Sequence, residues 1–200
     1  PLHDVRVRQA VQYAIDQDAL IEGLTYGYGH PCQQEYPIAP WNDPNTVGYP
    51  YNPTEARRLL AEAGVGPEGI TLNVWVVEGT VMDGPLALKD MFEEVGIHLD
   101  INVISYPQSG TMIFGGGWDG FMYGGAWAGL TIDPDFTAWL YLSPGMWDSQ
   151  FRPPELQALM AQGKAEPDLT KRIAIYQEMS RIMTEQCFHQ YLYWSGGFSS

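Results

Sequence analysis

Between Trp118 and Trp139, in WDGFMYGGAWAGLTIDPDFTAW, the rings of Trp118, Phe121, Tyr123, Trp127, Phe136 and Trp139 are interspersed with Gly120, Gly124, Gly125 and Gly129. Flat rings beside bare backbone suit a surface that stacks on a ligand and lets main-chain amides approach it. No Lys or Arg lies between Lys89 and Arg152, so this stretch has no cationic clamp for a carboxylate or phosphate. The same composition also fits an aromatic core segment closed by a glycine-rich turn.

Other chemistries find less support. A serine nucleophile has no G-x-S-x-G elbow, and Gly115-Gly116-Gly117 lacks the lysine and following helix of a phosphate loop. The four histidines are scattered without an H-E-x-x-H pattern, and His98 falls on the polar face of a strand. Asp119 and Asp133 are the carboxylates from which a secreted glycoside hydrolase, or an accessory carbohydrate-binding domain, would be argued. Asp133 has a competing local role as a helix cap, so no catalytic residue is assigned and no cofactor is expected. Cys32 and Cys187 allow a disulfide, two free buried thiols or, with His30 and His189, a tetrahedral zinc site. The disulfide needs the fewest coincidences and is the expectation, with no metal.

These residues need a scaffold, and the chain is long enough to build one. Its 200 residues, 45% hydrophobic and 13% aromatic, suffice for one domain with a substantial core, or two very small ones. A net charge of −14 argues against nucleic acid and anionic membrane surfaces, which need a basic footprint, and favours neutral or cationic ligands. No apolar run approaches the roughly 20 residues of a bilayer span, so no direct membrane insertion is expected.

Asp4 and Asp16 read as caps of two short helices, the second stopped by Gly23 and the Gly27/Gly29 pair. Arg6 and Arg8 read as anchors of the first helix. Residues 26–52 form a long ordered loop, in which packing is expected for most of Tyr26, Tyr28, Tyr36 and Trp41. Asn52-Pro53-Thr54-Glu55 starts a helix that Gly64 ends. Strand 70–77, helix 81–94 and strand 97–104 make a parallel crossover. In the second strand Ile97, Leu99, Ile101 and Val103 form the buried face. A helix or loop to Gly117, a strand over 119–126 and a helix opened by Asp133-Pro134 follow. Helices over 154–162 and 168–185 and a terminal strand over 191–194 complete an α/β chain with a mixed, largely parallel sheet flanked by helices.

Four segments, in order, carry a resemblance: DVRVRQAVQYAIDQDALIEGL, YNPTEARRLLAEAG, WDGFMYGGAWAGLTIDPD and IAIYQEMSRIMTEQ. Together they resemble the extracytoplasmic solute-binding proteins of ABC importers, in family 5, which includes oligopeptide, dipeptide and nickel binders. The resemblance implies a two-lobed type II periplasmic-binding-protein fold closing on its ligand like a hinge. Residues 1–200 would be a single ligand-binding lobe, the inserted C-terminal one, with the chain crossing between lobes at Pro1 and after Trp194. The N-terminal lobe of the same protein, a small-molecule or peptide ligand and a membrane ABC permease are the implied partners. The implied location is extracytoplasmic: periplasmic, or at the cell surface through a lipid anchor elsewhere in the protein. In peptide-binding relatives an acidic residue three positions after the motif Trp holds the peptide amino terminus. Trp127 matches that Trp, but Leu130 stands at the acidic position. A buried ammonium beside Leu130 would lack a partner, at a cost of about 3 kcal/mol. An oligopeptide-like solute held differently, or a neutral oligosaccharide-like one, is therefore expected. Stacking falls to Trp127, Tyr123 and Tyr106, main-chain approach to Gly125, Ala126 and Ala128, and pocket shape to Leu130; core packing is the alternative for Tyr106 and Tyr123.

Overall fold

A computed structural model describes residues 1–124, 133–142 and 152–194. α1 (Val5–Tyr13) starts where the Asp4 carboxylate accepts from the Arg6 amide at 2.9 Å, and Val7, Ala10, Val11 and Ala14 form its buried stripe. α2 (Gln17–Thr25) is capped in the same way by Asp16. It runs through Gly23 and stops only at Tyr26, whose left-handed backbone (φ 52°) ends the hydrogen-bond ladder; Gly23 is not its stop. In α3 (Pro53–Glu62) Asn52 caps, Pro53 fills the first position, where no amide is needed, and Gly64 leaves at φ 86°. α1 and α3 lie against each other, and Ala10 and Ala56 are fully buried in the core they share.

β1 (Ile70–Val77) is followed by α4 (Asp83–Glu93) and β2 (Ile97–Ile104), then α5 (Tyr106–Gly115) and β3 (Phe121–Tyr123). The strands form one sheet in the order β2-β1-β3, and both pairings are parallel. Leu72, Val74 and Val76 of β1 and Ile97 and Leu99 of β2 face a core completed by α1, α3 and α4. Val103 departs from the expected buried face: it is 62% exposed, while Ile104 is buried on the opposite side. β2 is an edge strand, and the helical cover reaches Ile97 and Leu99 but stops short of Val103.

α6 (Pro134–Leu142), α7 (Pro154–Ala165) and α8 (Leu169–Glu185) surround a second core. Tyr176, Met179 and Met183 of α8 are fully buried there with Ala138, Leu142 and Leu156. The long loop contributes Tyr36 and Trp41 to that core, whereas Tyr26 and Tyr28 stand in solvent. Glutamine amides satisfy part of the loop's backbone. Gln34 exchanges two hydrogen bonds with the Asp43 main chain, and Gln177 donates to the carbonyls of Pro40 and Asn42.

The expected strand over 191–194 is absent; Trp194 alone pairs, in an antiparallel bridge with His30. Side chains grip the segment instead. Gln12 Nε2 donates to Tyr191 O at 2.9 Å and its Oε1 accepts from Tyr191 N at 2.7 Å, as a strand residue would. Gln17 donates to Tyr191 O and to Cys32 O. Buried Arg8 donates to Leu2 O and Gln186 O, each at 2.8 Å, tying the beginning of the chain to residue 186. Buried Glu35 accepts from Tyr191 Oη at 3.3 Å and contacts His189 Nδ1 at 2.7 Å.

The expected disulfide is not formed: Cys32 and Cys187 are both free and buried. The Cys32 thiol donates to Gln34 O, and burial pushes it up to about 11. Burial pushes Cys187, beside Tyr49, up to about 12. Both therefore remain protonated at neutral pH. His30 stacks on Trp194 and His189 meets Glu35, and no cluster among the described residues has the ligands to hold a metal ion.

Candidate ligand-binding site

In an open parallel sheet, ligands settle at the carboxyl ends of the strands, where successive connections leave in opposite directions. Here β1 connects to β2 on one side and has β3 on the other, so the divergence lies between β1 and β3. The rim consists of Glu78-Gly79-Thr80 after β1, Ser105-Tyr106 after β2 and Tyr123-Gly124 at the end of β3. The Glu78 amide donates to Ile104 O at 2.8 Å, which joins the first two of these turns.

Tyr106 opens α5 and is 76% exposed, so it is not a core residue. Ser105 and Gln108 form a reciprocal capping box that fixes the helix start below it. Tyr123, in register with Val76, is half-buried against the sheet core. Burial raises its phenol above the ordinary value, with the Tyr193 phenol adding to the shift. Tyr106, just beyond β2, and Tyr123, at the end of β3, thus flank the end of β1. Trp127, Gly125, Ala126, Ala128 and Leu130 lie outside the described residues. Among its described residues the rim carries no Lys or Arg, but α4 and α5 both begin on that side of the sheet, where helix N-termini present main-chain N–H groups.

Residues 1–149 match the family described as bacterial extracellular solute-binding proteins, family 5 Middle. The chain belongs to that family. The family 5 chain is 28% identical over 202 residues to the probable di/tripeptide-binding protein 5 of Pseudomonas aeruginosa, covering 93% of itself and 36% of that protein. It therefore spans little more than a third of the relative's length. Its fold superimposes on a periplasmic binding protein, DppA from Helicobacter pylori in complex with the peptide STSA, with a TM-score of 0.83, 18% identity and coverage of 97% and 39% of the two chains. NikA from Brucella suis in complex with Fe(III)-EDTA gives 0.84, at 20% identity over 96% and 42%. The α/β fold is accordingly that of type II periplasmic binding proteins.

The two carboxylates considered for glycoside hydrolysis have separate structural partners in this family 5 fold. Asp119 accepts from Asn73 Nδ2 at 2.9 Å, and its carbonyl accepts from Trp75 Nε1 at 2.6 Å. Asp133 accepts from the Asp135 amide at 2.9 Å, as a cap should, and also from both terminal nitrogens of Arg172 at 2.7 and 2.8 Å. That guanidinium lies 5.6 Å from the Trp41 ring centroid and 5.2 Å from that of Tyr176, and its Nε donates to Gly163 O. The fork of Arg172 holds the Asp133 carboxyl below its ordinary value. An open concavity of about 410 Å³ beside the pair is lined by Asp133, Asp135, Phe136, Trp139, Lys164 and Arg172. The sequence shows the cap at Asp133 but not Arg172, because nothing local connects positions 39 apart.

Proposed function

We propose that this chain is one lobe of the solute-binding component of an ABC importer and works outside the cytoplasm. In this reading it captures a small solute against a second lobe and delivers it to a membrane permease. The observation that carries it is the family 5 match over residues 1–149, on a fold whose strand ends form an open rim. The family is one of solute-binding proteins, and no catalytic role is proposed. Among the described residues no helix is long and apolar enough to cross a membrane.

The proposed ligand surface is Tyr106, Tyr123 and Trp127, with Gly125, Ala126 and Ala128 at the backbone and Leu130 shaping the pocket. A relative is named for di- and tripeptides, and the structural neighbours hold a peptide and a metal chelate. For this chain the absence of a rim cation and the Leu130 substitution favour an oligopeptide-like solute held without an ion pair at its amino end, or a neutral oligosaccharide. A single lobe leaves much of the ligand in water, so the 200 residues alone should bind weakly. Thermal shift of the full-length protein against peptides, oligosaccharides and nickel chelates tests the assignment. A stabilising ligand whose effect survives Trp127→Ala undiminished would remove Trp127 from the site.

A further inference from the structure

We propose that Gly84, in the first turn of α4, is a positioning residue that sets where the Tyr123 ring stands on the ligand rim. The proposal rests on the ligand role given above to Tyr123.

Glycine is an unfavourable choice at this place. It lies inside a helix, where Ala is preferred, and its backbone does not have the positive φ that would demand glycine. What requires the missing side chain is space. A Cβ at position 84 would stand 2.8 Å from Tyr123 Cζ and would overlap the phenol oxygen outright. Gly84 is itself buried, so the phenol fills a notch in the helix. Among the described residues β3 extends only from Phe121 to Tyr123 and has only β1 as a partner, so three ladder positions hold Tyr123. The notch holds the far end of the ring where the strand holds only the near end. The depth of the notch therefore determines how far the ring projects towards a ligand. Filling it moves the ring outward and alters the room on the rim.

Full-length protein labelled with 3-fluorotyrosine tests this, the Tyr123 resonance being assigned by its loss in Tyr123→Phe. Gly84→Ala should shift that resonance. It should lower the melting temperature when Tyr123 is present and raise it in the Tyr123→Ala background, where only the helix preference remains. Dialanine and a Ni(II)–histidine complex serve as binding probes. Affinity for whichever binds should change about tenfold on Gly84→Ala, and not at all in the Tyr123→Ala background. An unmoved resonance, or the same melting shift in both backgrounds, overturns the notch. A moved resonance with unchanged affinity keeps the notch but overturns the ligand role of Tyr123, which separates the two failures.

Discussion

Around β1 the chain is held by aliphatic side chains on a regular pattern, whereas around α8 it is held by rings, thioethers and ion pairs drawn from distant segments. Leu72, Val74 and Val76 alternate along one strand and share a core with Leu88 and Phe92 of α4 and Val95 of the turn after it. Tyr176, by contrast, is met edge-on by Tyr36 and Trp41 from the long loop, and its hydroxyl donates to Asp135 at 3.1 Å. Local periodicity builds the first region, and long-range polar matching orients the second. The buried amides of Gln12 and Gln17 hold the segment that leaves α8 against α1 and α2.

The largest effect should come from the apolar core under the sheet. Phe92→Ala removes a ring that is 3% exposed and should cost about 3–5 kcal/mol in denaturant unfolding. A cost below about 1 kcal/mol would mean that the sheet region does not depend on burial as described. Next, Gln12→Leu strips the Tyr191 amide of its acceptor and should cost about 1–3 kcal/mol. It should also loosen the coupling of the two regions, so calorimetry should show a broadened or split transition where the parent shows one. A single sharp transition at lower temperature would show that the amides stabilise without coupling. Tyr176→Phe keeps the ring and loses the bond to Asp135; it should cost about 1 kcal/mol, detectable as a modest fall in the denaturation midpoint.

The smallest effects are those of pH, and they differ between the regions. His98 is raised above its ordinary 6.5 by its hydrogen bond to Glu93 and then by the Glu68 carbonyl. Its contribution is complete below the unfolded value and is lost as pH rises through the elevated folded one. His98→Gln should therefore lower the midpoint at pH 5.5 and leave it unchanged at pH 9. Asp133 is depressed below 3.8, first by the Arg172 hydrogen bonds, so its contribution is complete above the unfolded value and is lost as pH falls through the folded one. Asp133→Asn should therefore lower the midpoint at neutral pH and flatten the acid limb, the difference from the parent vanishing as pH falls through the folded value. The reverse assignment, with the sheet region sensitive to acid through His98, would contradict the described partners.

The sheet region was legible because each of its signals is local. Strands 70–77 and 97–104 begin and end where the β-branched run and the alternating run do, and Asp4, Asp16 and Asn52 all cap helices. The candidate site was legible only in part. Tyr106 reaches the rim because it follows a strand and opens a helix, both readable from Ile97–Ile104 and Ser105-Tyr106-Pro107. Where Tyr123 stands depends on Gly84, a residue whose significance appears only when a ring fills the space above it.

Residue type and spacing alone determined the caps and the strand-helix-strand crossover, because neighbours along the chain settle those matters through hydrogen bonds and periodicity. Tertiary structure decided the rest. It placed Arg172 on Asp133, kept Cys32 and Cys187 as separate thiols, and replaced a terminal strand with the amides of Gln12 and Gln17. Each of those outcomes depends on which side chain lies beside which other in space, and linear order does not encode that distance.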